Sequence, residues 1–322
     1  MKQLGLDIGS TTLKYVLLDE ENQLLSCKYQ RHGAKIGEKL DEILCQFETD
    51  YPGEELILTV SGSAGLGLSE SLDLPFVQEV FAEKIAAQRF CPGTDVIIEL
   101  GGEDAKILFL TGGFEMRMNG TCAGGTGAFI DQMAVLLNTT PEGLDELARK
   151  STHIYPIASR CGVFAKTDIQ NLAAKNASRE DLAASIFHAV AVQTVVTLSH
   201  GCDIRTPVLF CGGPLAFLPS LRKAFIDYLH LTDEQVVVPS DAQLLPAWGA
   251  ALMAQGEQCM TAAEWNAHIA ENAPHGMRSY ASLPPIFANG EELEAWRKSK
   301  GNHLMVLAPL HAGRMEMFLG ID

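Results

Sequence analysis

Apolar residues recur at two spacings along this 322-residue chain, and the change from one spacing to the other marks its elements. Leu4, Leu6 and Ile8, then Leu13, Tyr15 and Leu17, alternate with smaller or polar residues. This predicts two strands joined by a polar break, with a third short strand before residue 30. Ile36, Leu40, Ile43, Leu44 and Phe47 have helical spacing over 35–48. Leu56–Val60 predicts a strand, SGSAGLG after it a glycine–serine loop, and Phe76–Phe90 a helix. Strands are predicted at Asp95–Leu100 and Ile107–Leu110, with a hairpin turn at Thr111–Gly113. Helices are predicted over Ala128–Leu137, Pro141–Lys150, 163–175 and 179–199, with a loop at Pro156–Gly162. Val208–Cys211 reads as a strand, Leu218–Leu229 as a helix, Val236–Pro239 as a short strand and Leu245–Gln255 as an alanine-rich helix. Beyond residue 258 the periodicity weakens around Trp265 and Trp296, which predicts an appended helix and linker. The final Leu319-Gly320-Ile321-Asp322 repeats Leu4-Gly5-Leu6-Asp7 in kind. It is either coincidence or the first strand of a second copy of the same domain.

The first polar break, Gly9-Ser10-Thr11-Thr12, follows Asp7 and precedes Lys14. Backbone amides and three hydroxyls on a glycine turn can cradle phosphate, and a carboxylate at the strand end can hold Mg²⁺ directly or through water. An ordinary hairpin with a polar turn fits the same residues. The stretch lacks the glycine–lysine signature of a P-loop.

Length suits two lobes, and 47% hydrophobic with 20% charged residues suits a sizeable core. A net charge of −16 argues against nonspecific binding to nucleic acid or an anionic membrane. The apolar stretch around Ala189–Leu198 reads as too short to span a bilayer, and the chain runs directly into a strand without a signal segment. A cytoplasmic location is therefore expected. Eight cysteines contain no Cys-x-x-Cys pair and read mostly as small buried residues, Cys202 and Cys211 among them. The nine histidines, His32 included, form no metal spacing and read as ordinary. Lys166 and Asp168 either pair with neighbours or line a cleft.

LGLDIGSTT, IIELGGEDAK and VLFCGGPLAF each place a glycine turn beside an apolar strand. Their order and spacing resemble the actin, sugar-kinase and heat-shock chaperone ATPase superfamily. That resemblance implies an α/β fold of two lobes, each a duplicated ribonuclease H-like core, closing over ATP or ADP with Mg²⁺. It implies lobe I over 1–92, completed by a helix at about 240–258 that matches PAWGAALMA, and lobe II over 93–239. Residues 259–322 would be the appended segment. Gly9, Ser10, Thr11, Thr12 and Lys14 would meet the β- and γ-phosphates, Gly101 and Gly102 the phosphates and metal, and Gly212, Gly213 and Pro214 the adenosine. Asp7 would organise the metal, and Glu103 or Asp104 would approach the γ-phosphate or the attacking water. Members of the superfamily commonly begin the second turn with Asp, where this chain has Glu99.

Cys122 in NGTCAGGTGAFID and Cys161 in SRCGVFAKTDI stand at the starts of two predicted helices. A helix N-terminus favours thiolate, so the positions suit an iron–sulfur cluster as well as paired structural cysteines. A two-fold dimer would bring four such thiolates together. These segments, with GSTTLK, VSGSAGLG and LGGEDAKI, resemble the activator ATPases of 2-hydroxyacyl-CoA dehydratases and the related benzoyl-CoA reductase subunits, over about residues 1–256. The resemblance implies a homodimer, or two repeats of one longer chain, sharing a 4Fe–4S cluster on Cys122 and Cys161. Ferredoxin or flavodoxin would supply the electron, and an acyl-CoA dehydratase or reductase would accept it. Two other classes fit the fold: a sugar- or acyl-kinase-like phosphotransferase, which has no need of the two cysteines, and a nucleotide-binding regulatory module without turnover.

Overall fold

The computed structural model describes residues 1–120, 124–159, 161–254, 258–272 and 286–301. The expected strand repeat at 319–322 lies outside the described residues. Lys2–Ile8 (β1), Thr12–Leu18 (β2), Leu24–Arg31 (β3), Ile36–Asp50 (α1), Glu55–Ser61 (β4), Ser63–Leu72 (α2) and Glu79–Phe90 (α3) form the N-terminal part. Val96–Leu100 (β5), Ala105–Phe109 (β6), Glu115–Met118 (β7), Gly127–Leu136 (α4), Pro141–Ala148 (α5), Gly162–Ala174 (α6) and Arg179–Leu198 (α7) follow. Then come Val208–Cys211 (β8), Gly213–Phe217 (α8), Pro219–Leu229 (α9), Val236–Val237 (β9), Leu245–Leu252 (α10), Met260–Thr261 (β10) and Ala262–Asn272 (α11). Gly290–Gly301 (α12) belongs to a separate unit that starts at Pro274, in which Phe287 packs on Trp296.

Two five-stranded sheets share one plan. The first has the order β10-β4-β1-β2-β3 and the second β7-β6-β5-β8-β9. In each, three antiparallel strands in succession are followed by a parallel partner on the far side of the first: β1 with β4, and β5 with β8. The two glycine turns are built alike, with Gly9 N–H donating to the Thr12 carbonyl at 2.9 Å and Gly101 N–H to the Asp104 carbonyl at 2.8 Å.

Period-two alternation decides what each face carries. Leu4, Leu6, Ile8, Leu13, Tyr15 and Leu17 bury against α1 and α11, whose Trp265 is fully enclosed. Val96, Ile98, Leu100, Ile107, Val208 and Phe210 bury against α4 to α9. The opposite parity of both sheets meets a shared layer made of α3 and α10, where Val16, Leu18, Ile97, Leu108, Leu209 and Cys211 pack with Ala86, Ala87 and Ala247. Asp7, Lys14, Glu99 and Lys106 occupy this same parity and are buried.

That middle layer is tight because glycine and alanine line it. A β-carbon on Gly249 would lie 1.7 Å from the Ala82 carbonyl oxygen of α3, and one on Gly5 would lie 2.2 Å from the Ala247 carbonyl oxygen of α10.

Several elements differ from the sequence reading. SGSAGLG is not a loop: α2 begins at Ser63, and Gly65 is there for packing, since its β-carbon would lie 2.7 Å from Val60 Cγ1. β7 was not expected; it is an edge strand whose Met116 and Met118 are exposed, so no buried face marks it. The segment beyond 258 begins inside the first lobe, with β10 pairing antiparallel to β4 and α11 covering the sheet. The helix expected over 179–199 is α7; the apolar stretch read as too short for a bilayer is part of this 20-residue helix, which is long and apolar enough to cross a membrane. Two thirds of its apolar window, 67%, is buried in the second lobe, as expected of a core helix.

Gly249→Ala is expected to force α3 and α10 apart and to cost about 3 kcal/mol, the upper range for overpacking. Urea denaturation checks this, and an unchanged midpoint would contradict the packing described.

Candidate functional site

The three glycine turns converge between the lobes. Gly102 of the second turn abuts the first, because a β-carbon there would lie 2.5 Å from Thr11 Oγ1. Gly213 of the third turn meets β3, where its β-carbon would lie 2.5 Å from the Tyr29 hydroxyl. Around these contacts opens a cavity of about 380 Å³. Thr11, Thr12 and Lys14 line it from the first lobe, and Gly101, Gly102, Gly212, Gly213 and Pro214 from the second. Glu99, which the sequence reading placed at the second turn, also lines it, as do Tyr29, Arg31, Gly127, Asp131, Glu142 and Phe217, which that reading had not assigned.

The remaining expected residues lie around the cavity. Gly9 and Ser10 complete the first turn without lining the cavity. Asp7 is fully buried behind Lys14, whose ammonium contacts its Oδ2 at 2.5 Å. Asp7 Oδ1 has no hydrogen-bond partner among the described residues. It faces Gly62, whose φ of +91° lets the backbone pass where a β-carbon would lie 2.5 Å from that oxygen. Burial alone would lower the Lys14 pKa, but the Asp7 carboxylate, together with Glu79 and Glu99, outweighs it and holds the ammonium charged. Glu103 is exposed on the second turn and does not line the cavity, while Asp104 turns back toward Lys106.

The second lobe repeats the first lobe's ion pair. Asp7 stands opposite Lys14 across β1 and β2, and Glu99 opposite Lys106 across β5 and β6. Lys106 Nζ lies 2.9 Å from Glu99, from Asp104 and from Glu79 of α3. One ammonium thus joins the second turn to the middle layer. One helical turn on, Glu83 is fully buried, accepts from the Cys211 thiol at 2.8 Å and keeps Oε2 unpartnered. Burial pushes Glu83 up to about 8, the Glu99 charge adds to this, and Lys106 opposes it. Burial also raises Glu99 and Glu79. A charged residue at one position of each otherwise apolar strand, IIEL and AKILF, was the signal for this pair. Glu79 and Glu83 are spaced four apart on a helix and gave no sign of which strand they meet.

Helix α4 hangs from the second turn: Gly127 N–H donates to the Gly101 carbonyl at 3.0 Å and Ala128 N–H to the Gly102 carbonyl at 2.7 Å. At the cavity mouth Arg31 of β3 reaches Asp131 of α4 at 3.3 Å.

Cys122 lies outside the described residues. Cys161 is the N-cap residue of α6 and a partly exposed free thiol. A β-carbon on the next residue, Gly162, would lie 3.6 Å from the Cα of Gly124. The chain two residues past Cys122 therefore runs beside Cys161. Val163 and Phe164 stand strongly exposed next to it. No group of three or more metal-ligating side chains occurs among the described residues. Asp168 accepts from the Ala158 N–H at 2.9 Å and fixes the loop before Cys161. Cys211 is buried as expected, whereas Cys45 is exposed and Cys202 only partly buried.

Two like-built sheets closing three glycine turns on one cavity define a two-lobed ATPase of the actin and sugar-kinase type. Residues 4–254 match the BadF/BadG/BcrA/BcrD ATPase family, and the chain belongs to it. It is similar to the (R)-2-hydroxyglutaryl-CoA dehydratase activating ATPase of Acidaminococcus fermentans, 28% identical over 65% of this chain and 82% of that one. It is also similar to the 2-hydroxyisocaproyl-CoA dehydratase activator of Clostridioides difficile, 29% identical over 80% of this chain and 96% of that one. The crystal structure of the Acidaminococcus dehydratase component A superimposes with a TM-score of 0.70 at 27% identity, covering 79% of this chain and 97% of that one. The structure of the Clostridium difficile activator with bound ADPNP gives 0.68 at 28% identity, covering 84% of this chain and 98% of that one.

Because burial raises the Glu83 pKa above its ordinary 4.5, the folded chain holds that proton more tightly than the unfolded chain. The resulting stability is complete below about pH 4.5 and is lost as pH rises through about 8. Glu83→Gln is expected to flatten the fall in unfolding free energy between pH 5 and 9 by on the order of 1–2 kcal/mol. Urea denaturation across that range tests it, and parallel curves for the two proteins would contradict the assignment.

Proposed function

We propose that this chain is an ATP-dependent activator that couples hydrolysis to low-potential electron delivery to an acyl-CoA dehydratase or reductase-type partner. The observation that carries the reading is Cys161 at the head of α6, beside Gly124, which precedes the helix hung from the second glycine turn and stands two positions after Cys122 in the sequence. The fold alone would equally suit a kinase. A kinase has no use for these two cysteines, and the curated relatives named above are dehydratase activators.

In this reading Thr11, Thr12 and Lys14 receive the terminal phosphates, Gly101 and Gly102 the other side of the phosphate chain, and Gly212, Gly213 and Pro214 the adenosine. Asp7, whose Oδ1 has no hydrogen-bond partner among the described residues, would hold Mg²⁺ through water. Asp104 and Glu103 sit on the turn nearest the attacking water, with Asp104 held by Lys106. Residues 1–92 with about 240–258, which contain α10, act as one lobe and 93–239 as the other, and residues from 259 are an appendage whose first part has joined the sheet. When phosphate shifts the second turn, α4 shifts with it through its two amide bonds.

Cys161 suits a ligand of an iron–sulfur group, being a partly exposed free thiol at a helix N-terminus. Cys122 and Cys161 from two copies, or from two repeats of one longer chain, would hold a 4Fe–4S cluster, which supplies one strongly reducing electron. Exposed Val163 and Phe164 suit such a two-fold contact. Ferredoxin or flavodoxin is the matching donor class, and the setting is anaerobic and cytoplasmic.

Protein purified without oxygen should hold about four irons and four acid-labile sulfides per two chains, with visible charge-transfer absorption. Cys122→Ala and Cys161→Ala should each abolish this and leave ATP hydrolysis in place. Asp7→Asn should instead lower kcat for hydrolysis by roughly 10²-fold, the effect of losing one charge-positioning group. Absence of iron from every preparation, reconstituted protein included, would remove the electron-transfer reading.

A further inference from the structure

Among the described histidines, His32 is the one that is buried, and its ring is bonded on both sides. It lies just after β3, 6% exposed. Ala34 N–H approaches Nδ1 at 3.0 Å. A backbone amide can only donate, so Nδ1 is the accepting nitrogen and carries no proton. The proton of the neutral ring therefore sits on Nε2, which lies 3.1 Å from the carbonyl oxygen of Gly9 and donates to it. The main chain adds a parallel link, with His32 N–H donating to the Thr11 carbonyl at 3.2 Å. Lys35 N–H returns to the His32 carbonyl at 2.9 Å, and Gly33 and Ala34 both have positive φ, so the loop that presents the ring is itself a closed turn.

We propose that His32 is a positioning residue for nucleotide: its imidazole and amide grip the outer carbonyls of Gly9 and Thr11 and hold the first glycine turn in the shape that presents Thr11 and Thr12 to the cavity. The inference rests on the assignment of residues 9–12 as a phosphate turn. His32 does not line the cavity. Its effect passes through the backbone. With Gly9 N–H bonded to the Thr12 carbonyl, the turn is held at three points. Among the described residues, the amides of Ser10 and Thr11 have no acceptor in the chain, so the bonds that hold the turn use its carbonyls and leave donors for an anion. A turn so fixed before nucleotide arrives loses less entropy on binding.

Two substitutions separate this role from a local structural one. His32→Gln keeps an N–H donor near the Nε2 position, facing Gly9. His32→Asn keeps an acceptor near the Nδ1 position, facing Ala34, and loses the donor. The assay is steady-state ATP hydrolysis with ADP affinity by calorimetry, on the full chain. His32→Ala and His32→Asn are expected to raise KM and the ADP dissociation constant about tenfold, with kcat changed much less, and His32→Gln to stay near wild type. Wild-type ADP affinity in His32→Asn, or an equal loss in His32→Gln, would overturn the inference. If His32→Ala fails to fold, the Gln–Asn comparison still decides. Thr11→Ala and Thr12→Ala test the underlying turn: weakened binding there with none in the His32 variants rejects His32 alone, and unchanged binding in both sets rejects the turn assignment.

Discussion

Two carboxylate–ammonium pairs, one in each lobe, sit at the centre of this molecule. Asp7–Lys14 and Glu99–Lys106 take equivalent places in duplicated hairpins, each just before or after a glycine turn, and each is buried on the face that looks toward the other lobe. Burying charge this deeply costs several kcal/mol per ion unless partners compensate it. Lys106 meets that demand by gathering three carboxylates, one of them Glu79 from the helix layer between the sheets. The longer side chain at Glu99, where the superfamily commonly has Asp, still reaches its lysine at 2.9 Å. The departure noted in the sequence therefore leaves the pair intact.

The consequence for function is geometric. The second glycine turn is fixed on one side by Asp104 and Lys106 and bonded on the other to the first two amides of α4. Anything that moves the turn acts on the charge layer and on α4 together. Arg31 and Asp131 add a bond between β3 and α4 at the cavity mouth, though an exposed pair of this kind contributes little by itself. The packed middle layer, with Gly5, Gly249 and Ala82 in backbone contact, leaves little room for intermediate arrangements.

Much of this was legible from residues alone because it depends on local pattern. Alternation placed β1, β2, β5 and β8, and the three strand–glycine junctions located the cavity walls that carry Thr11, Gly102 and Gly213. What escaped was set by distant partners. SGSAGLG reads as loop because glycine is a poor helix former, yet Gly65 is needed under Val60 and tertiary contact holds the helix. β7 is an edge strand with exposed methionines and shows no apolar face to find. Glu83 meets Cys211 across 128 residues, and Lys106 meets Glu79 across 27, so neither pairing follows from local spacing. His32 looked ordinary because its partners are backbone atoms, which leave no mark in a side-chain pattern.

The most direct test of a nucleotide site closed by these turns is amide hydrogen exchange on the full chain, with and without ADP and Mg²⁺. Protection is expected in three separated segments, 7–14, 99–106 and 212–218, with a smaller change in 127–131 where α4 hangs from the second turn. Protection confined to one lobe, or none in any of the three turns at saturating nucleotide, would contradict it.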